Sequence, residues 1–156
     1  MAKKILVAMD DSENAKRAVD YVAEAFSPEN KVTLLSILPD TAALCDMNSP
    51  ELTSYFHSQQ TTFCVLEDKK RELVEAALNS AKQRLQSAGF PEKNVIVKLS
   101  KKKAGIARDV VREAVQGYDL IVMGRRGVSG IKEFFMGSVS TKVFNLAKDV
   151  SVLIVN

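Results

Sequence analysis

Five short apolar runs, separated by segments of helical length, limit what this 156-residue chain can fold into more than any other feature. The runs are residues 5–9, 32–37, 95–99, 120–123 and 152–155. Their alternation with helical segments predicts right-handed βαβ crossovers and a parallel sheet. Because each run is nearly continuous in apolar character, we expect helices to cover both faces of that sheet. The sequence therefore predicts one α/β domain over residues 1–156.

Four segments with helical periodicity connect these runs. The first carries its apolar face from Ala15 to Phe26 and has Ser12 available as its N-cap. The other three carry their apolar faces over residues 74–88, 106–115 and 139–147. Residues 39–68 form an insertion after the second strand, which is too long for a plain connection and poor in glycine. We expect this insertion to be ordered, with a short helix through residues 52–60.

The composition gives no reason to expect a nucleic acid or a membrane as a partner. A net charge of +3 and 26% charged residues are ordinary for a globular protein. The apolar start ends at Asp10, too early for a signal peptide, and no later run approaches the roughly 20 apolar residues of a membrane-spanning helix. Cys45 and Cys64 do not make the dense cysteine framework of a small secreted domain, which predicts a cytoplasmic protein and leaves a disulfide between them open. His57 lies between the two cysteines, but the separations match no usual zinc-ligand spacing.

The segment most informative about chemistry follows the fourth apolar run. That run leads directly into Gly124, and we expect a helix to begin at Gly137 and Ser138. Glycine lets the backbone come into contact with a ligand, and the free N–H groups at a helix start attract an anion. The same segment contains further glycines and polar or basic side chains, namely Arg125, Arg126, Gly127, Gly130 and Ser140. It therefore predicts a phosphate site, although glycines in such a connection also serve as ordinary turn residues.

Two better-known phosphate loops are absent from the sequence. It contains neither a Walker sequence nor a Gly-x-Gly-x-x-Gly turn after the first apolar run. The chain is therefore unlike a P-loop NTPase or a dinucleotide dehydrogenase.

Asp10 follows the first apolar run and marks a second part of the same predicted site. In an open parallel sheet the ligand crevice lies at the carboxyl edge where the strand order reverses, and the first and fourth strands are the natural neighbours there. Asp10 would then face the glycine segment. Because carboxylate and phosphate repel each other, Asp10 is expected either to bond a ribose hydroxyl or to hold a divalent cation that bridges to phosphate. Alternatively, Asp10 and Asp11 only complement the dipole of the first helix, and for Asp11 we favour that interpretation.

These segments resemble the ATP-binding branch of the universal stress protein family over nearly the whole chain. The opening strand ends in an aspartate, the fourth strand reads Asp-Leu-Ile-Val-Met-Gly, and the last reads Ser-Val-Leu-Ile-Val. The most specific part of the resemblance is a glycine, two residues, a glycine, nine residues and a Gly-Ser pair. It is matched without a gap by Gly124, Gly127, Gly137 and Ser138. The resemblance implies a five-stranded sheet in the order 3-2-1-4-5 with an adenine nucleotide alpha hydrolase-like fold.

The resemblance also implies roles for individual residues. The phosphates and ribose are expected at Gly124, Arg126, Gly127, Gly137, Ser138, Val139 and Ser140. The adenine is expected to lie against Ala8, Met9, Ile37 and Met123. Asp10 is expected to approach the ribose or a metal ion, Mg²⁺ or Mn²⁺, bound with the phosphates. A homodimer is expected to form through the last strand, with Val150, Val152, Leu153, Ile154 and Val155 at the interface.

The sequence therefore predicts a stress-response regulatory protein that binds ATP. No general base or nucleophile stands out beside the glycine segment, so no catalytic residue is assigned. One alternative is a slow metal-dependent ATP hydrolase in which Asp10 holds the metal. The other is an interaction or receiver-like module that needs no nucleotide. It is ranked last because the third run is followed by Ser100, where a receiver requires an aspartate. No role is assigned to the lysines at positions 101–103.

Overall fold

Five parallel strands form a single sheet at the centre of the protein. The structure is a computed structural model that describes residues 1–47, 53–126 and 136–156. The strands are β1 (Lys4–Ala8), β2 (Lys31–Leu38), β3 (Val95–Lys101), β4 (Leu120–Gly124) and β5 (Ser151–Val155). Their order in the sheet is β3-β2-β1-β4-β5, which confirms the predicted order 3-2-1-4-5. Each strand differs by only one or two residues at either end from the apolar run that predicted it.

Helices cover both faces of the sheet, as predicted. They are α1 (Glu13–Ala25), α2 (Ala42–Cys45), α3 (Ser54–Ser87), α4 (Ile106–Ala114) and α5 (Ser138–Leu146), with a 3-10 turn at Glu92–Asn94. Buried side chains of α1 and α3 pack together on one face, and those of α4 and α5 on the other. This division follows from right-handed crossovers, because the chain moves outward from β1 to β3 and then returns across the sheet to β4 and β5.

The central strand β1 divides its side chains between two separate cores. Ile5 and Val7 pack with α1 and α3, whereas Leu6 and Ala8 pack with α4 and α5. All four residues are buried. Because successive residues of a strand point to opposite faces, a strand covered on both faces must be apolar at every position. This requirement accounts for the nearly continuous apolar runs in the sequence.

Helix α3 differs from the prediction for the 39–68 insertion. Thr53 caps the helix by accepting a hydrogen bond at Oγ1 from the Phe56 N–H at 3.2 Å, and the helix then runs for 34 residues without interruption. The expectation of a separate short helix at 52–60 was therefore wrong, since that region belongs mostly to the same helix as residues 74–87. No glycine or proline occurs between Ser54 and Ser87, so no residue breaks the helix.

Only the second half of α3 belongs to the body of the protein. Its buried residues are Val74, Leu78, Ala81 and Leu85. Residues 54–73, here called the α3 arm, bury no side chain completely and extend the helix beyond the core. At about 1.5 Å per residue the whole helix is about 50 Å long. Among the described residues, no helix has the length and apolar character needed to cross a membrane.

A disulfide holds α2 against the α3 arm. Cys45 and Cys64 are bonded, with their Cα atoms 5.9 Å apart. The Gln60 side chain adds hydrogen bonds to the carbonyl oxygens of Leu44 and Met47. The disulfide that the sequence left open is thus present. No three His, Cys, Asp or Glu side chains form a metal-binding group anywhere in the described ranges.

Of the three lysines at 101–103, Lys101 ends β3, and Lys102 and Lys103 begin the turn that leads into α4. The Lys102 N–H donates to the Leu38 carbonyl at 2.7 Å. The Asp109 carboxylate accepts hydrogen bonds from the Lys103 N–H at 2.6 Å and the Ala104 N–H at 3.1 Å. The bond from Lys103 is the main reason that the pKa of Asp109 lies below its usual value. The backbone of this turn is thus held in place by β2 and α4.

The division of α3 into an embedded half and an arm predicts different effects of the same substitution. Leu78 is 1% exposed and Leu66 is 63% exposed. We expect Leu78→Ala to lower the free energy of unfolding by about 3 kcal/mol, because it leaves a cavity in the core. We expect the matched Leu66→Ala variant to change it by less than about 0.5 kcal/mol. Urea denaturation measures both, and equal losses would show that the arm packs on the core.

Candidate functional site

The carboxyl ends of the central strands surround a cavity of about 610 Å³. Strand β1 pairs with β2 on one side and with β4 on the other. The connection from β1 leads to α1 on one face of the sheet, and the connection from β4 leads to α5 on the other. The boundary between β1 and β4 is therefore the point where the strand order reverses, which is where open α/β sheets bind ligands. The volume is in the range of small-molecule sites.

The residues predicted to bind nucleotide lie together around this cavity. Eleven of the twelve are in its lining, namely Ala8, Met9, Asp10, Ile37, Met123, Gly124, Arg126, Gly137, Ser138, Val139 and Ser140. The twelfth, Gly127, lies outside the described residues. These positions come from three separate segments of the sequence, and the pairing of β1 with β2 and β4 is what brings them to one edge.

Two helices contribute lining residues that were missing from the sequence-based site. Helix α3 supplies Lys70, Leu73 and Val74, and α4 supplies Ile106 and Val110. The end of β2 and the start of α1 add the rest of the lining, namely Asp11, Ala15, Leu35, Ser36, Leu38 and Pro39. The helical periodicity predicts that Val74, Ile106 and Val110 face the core. Nothing in the sequence indicates at which strand ends these side chains lie.

Asp10 is held in place by the start of α1. One carboxylate oxygen, Oδ1, accepts a hydrogen bond from the Ser12 N–H at 2.9 Å. Ser12 in turn caps the helix by accepting the Ala15 N–H at Oγ, at 3.2 Å. The second oxygen of Asp10 makes no hydrogen bond to any part of the chain that the structure describes. It can therefore accept a bond from a ligand hydroxyl or coordinate a cation.

The segment between β1 and Asp10 is tied to β2. The Met9 N–H donates to the Leu35 carbonyl at 2.9 Å, and the Ser36 hydroxyl donates to the Met9 carbonyl. Ser36 is buried. Because both backbone polar groups of Met9 have partners on β2, Asp10 projects from a fixed point at the sheet edge.

Gly124 is required by packing. A Cβ at this position would lie 2.6 Å from the backbone oxygen of Asn14 and 2.7 Å from its carbonyl carbon. No larger residue fits unless the first turn of α1 moves away from the end of β4. The sequence analysis attributed this glycine to the approach of a ligand, and the structure adds the approach of α1.

Ser140 connects α5 to the end of β4. It is 3% exposed, and its hydroxyl donates to the Gly124 carbonyl at 2.9 Å. A serine hydroxyl has a single hydrogen to donate, so in this arrangement Ser140 can only accept a hydrogen bond from a ligand. That property suits a sugar hydroxyl better than a phosphate oxygen.

The start of α5 provides backbone N–H donors to the cavity. No side chain caps this nine-residue helix, whose N-cap position is Gly137. The first N–H groups of a helix have no partner inside it and carry the positive end of its dipole. Gly137, Ser138 and Val139 line the cavity, and Ser138 is exposed. This end of the cavity therefore has the chemistry of a phosphate site, and Arg126 adds a cation to it.

The last strand lies at an edge of the sheet. β5 pairs only with β4 among the described residues. The apolar side chains named as a dimer interface, Val150, Val152, Leu153, Ile154 and Val155, are half-buried. The structure thus leaves an apolar strand with one side unpaired within the described chain.

Comparison with known proteins identifies similar chains over the full length. Residues 1–156 match the model of the Universal stress protein family. The universal stress protein YxiE of Bacillus subtilis (strain 168) is 30% identical over 148 residues, which are 94% of this chain and 95% of that protein. The universal stress protein MJ0577 of Methanocaldococcus jannaschii is 27% identical over 154 residues, covering 92% of this chain and 88% of that protein.

Solved structures share the same architecture. The structure of MJ0577 has a TM-score of 0.70 and 25% identity, with 99% of this chain and 96% of that chain covered. A universal stress protein solved in complex with cAMP has a TM-score of 0.66 and 23% identity, with 99% of this chain and 97% of that chain covered. Both cover the arrangement of strands and helices described above.

The contact between Gly124 and Asn14 predicts a loss of stability when a methyl group is added. We expect Gly124→Ala to lower the free energy of unfolding by about 2 kcal/mol, because the new Cβ overlaps backbone atoms that cannot rotate away. Ser138→Ala, at an exposed position on the same cavity, serves as the control and should change it by less than about 0.5 kcal/mol. Chemical denaturation measures both variants. A Gly124→Ala protein as stable as the wild type would mean that α1 and β4 are not in contact there.

Proposed function

Because this chain belongs to the universal stress protein family, we propose that it is a regulatory member that binds ATP in the cavity at the carboxyl edge of its sheet. The main support for this proposal is that the two ends of the cavity differ in polarity. One end is apolar, and the other contains the uncapped start of α5. A nucleotide has the same division between its base and its phosphates.

The apolar end fits an adenine ring. Ala8, Ile37 and Met123 come from the ends of three neighbouring strands, and Ile106 and Val110 of α4 lie beside them. Apolar side chains of this kind bind a base by excluding water from its faces. A universal stress protein has been solved with cAMP, so this fold accommodates an adenine nucleotide in at least one protein; at 23% identity that likeness concerns the fold.

The start of α5 fits the phosphates. The backbone N–H groups around Ser138 and Val139 supply donors, and the helix dipole adds favourable electrostatics. Arg126 contributes positive charge on the same side of the cavity. Gly127, which the glycine spacing assigns to this site, completes the proposed cradle.

Asp10 also lines the cavity and is proposed to bind either the ribose or a metal ion. The described residues gather no set of three metal ligands, so Mg²⁺ or Mn²⁺ would need phosphate oxygens to complete its coordination. A metal in this site is therefore proposed to arrive with the nucleotide. Its chemistry there would be to neutralise phosphate charge beside the carboxylate.

We further propose a cytoplasmic homodimer formed through β5. An apolar edge strand that pairs on one side only is a template for a second strand, and a symmetric copy of itself is the simplest partner. Light scattering on the purified protein measures the mass directly.

The proposed phosphate cradle predicts the effect of a larger side chain at Gly127. We expect Gly127→Val to abolish ATP binding, since the new side chain occupies space that the phosphates need. The fold should be intact, with an unchanged far-UV circular dichroism spectrum and urea midpoint. Isothermal titration calorimetry with ATP measures the binding. Wild-type affinity in the variant would mean that the loop does not hold the phosphates.

The same substitution at Asp10 and at its neighbour Asp11 tests the proposed contact between the Asp10 carboxylate and the nucleotide or its metal. We expect Asp10→Asn to weaken binding of Mg·ATP by about ten-fold, because it removes a charge-assisted bond. Asp11→Asn, proposed only as a charge at the helix start, should weaken it by less than about two-fold. If Asp10 holds the metal, the difference between variant and wild type disappears in EDTA; if it bonds the ribose, the difference persists. Equal losses in both variants would contradict a specific role for Asp10.

A further inference from the structure

Cys45 and Cys64 connect the two sides of the cavity mouth. We propose that they form a reversible redox site, and that the disulfide raises the affinity of the cavity for its nucleotide. This inference rests on the proposed function and adds to it a means of regulation. The chemical partner is a dithiol reductant, with a disulfide as the corresponding oxidant.

One side of the mouth is the end of β2. Leu38 and Pro39 line the cavity, and the chain then continues directly through Asp40 and α2 to Cys45. The other side is α3, from which Lys70 and Leu73 line the cavity. Cys64 lies six residues before Lys70 on the same helix, about 9 Å along its axis. The disulfide therefore joins the segment that continues from one wall to the helix that forms the other.

Few other contacts hold that segment to α3. Helix α2 has four residues and buries none of them, and so short a helix is not stable by itself. The hydrogen bonds between α2 and the arm that the structure describes come from one side chain, Gln60. Asp40 pairs with Lys101 at 3.4 Å, but both side chains are about half exposed, which makes the ion pair weak. Without the disulfide, the position of the segment depends on these few polar contacts.

Opening the bond leaves the core intact. The buried residues of α3 begin at Val74, ten positions beyond Cys64. Both cysteines are half-buried, so a thiol can reach them from solvent. In a cytoplasm, the location that the sequence predicts, disulfides are usually transient and serve redox sensing or catalysis. The pair thus occupies a place where reduction changes one local segment.

The proposed reaction is thiol–disulfide exchange. A thiolate of the dithiol attacks one sulfur, the S–S bond breaks, and the other cysteine leaves as a thiolate that takes up a proton. The second thiol of the reductant then attacks the mixed disulfide and releases the remaining cysteine. Two electrons and two protons have moved from the reductant to the pair, and the reductant has become a cyclic disulfide. A disulfide oxidant reverses each step.

The effect on binding follows from preorganisation. Leu38 is fixed in either form by its pairing with Lys101 in the sheet, so the disulfide acts on the chain beyond it. In the oxidised form the segment from Pro39 through α2 is linked to the α3 arm, so binding a nucleotide orders less of the chain. In the reduced form part of the binding free energy is used to order the segment. The oxidised form therefore binds more tightly, and by linkage the nucleotide favours the disulfide by the same factor.

Calorimetry on the full chain tests the effect on affinity. Cys45 and Cys64 are the only cysteines, so dithiothreitol acts on this pair alone. We expect reduction of the wild type to weaken ATP binding about five-fold, by analogy with the usual size of coupling between sites. The double variant Cys45→Ser/Cys64→Ser should bind like the reduced wild type, with and without dithiothreitol. Equal affinity of the oxidised and reduced wild type overturns the inference and leaves the proposed function standing, whereas no ATP binding in either state overturns both.

A thiol titration tests the reciprocal effect without any variant. The protein is equilibrated in mixtures of reduced and oxidised dithiothreitol, with and without saturating ATP, and its free thiols are counted. We expect ATP to raise the disulfide-to-dithiol ratio by the same factor found by calorimetry. An unchanged ratio overturns the inference even if the two affinities differ, because linkage requires both.

Discussion

Strand β1 lies between β2 and β4 and is covered by helices on both faces, and the position of every other element depends on that burial. Alternate side chains of β1 enter two different cores, one with α1 and α3 and one with α4 and α5. From Ile5 onward the strand must therefore be apolar, and it ends where the cores end. Polar chemistry begins at that point, with Asp10 at the sheet edge.

The shape of the cavity follows from how closely the helices approach the end of β4. The first turn of α1 contacts Gly124 so closely that a Cβ has no room, and the Ser140 hydroxyl bonds the carbonyl of the same glycine. Helices from opposite faces thus meet at one residue. The start of α5 borders the space between them, so uncapped helical N–H groups lie in the same cavity as apolar side chains. We propose that ATP binds to both.

The α3 arm extends beyond the helical layers that cover the central sheet. Its residues bury nothing completely, yet the arm is linked to α2 by the disulfide and continues into the wall of the cavity. An element with so few contacts to the core can change position without unfolding the domain. The arm is therefore suited to carry a regulatory signal to the cavity.

The fold class and half of the residues that line the cavity could be predicted before the structure was known. Continuous apolar runs indicate strands covered on both faces. The glycine spacing, the position of Asp10 after the first strand and the family resemblance together named eleven residues that the structure brings to one cavity. Other features appeared only in three dimensions: α3 is one helix, Lys70 and Leu73 line the cavity, Cys45 bonds Cys64, and Asn14 leaves no room for a Cβ at Gly124. Periodicity indicates which face of an element is buried, whereas the partner on that face comes from elsewhere in the chain and is set by packing.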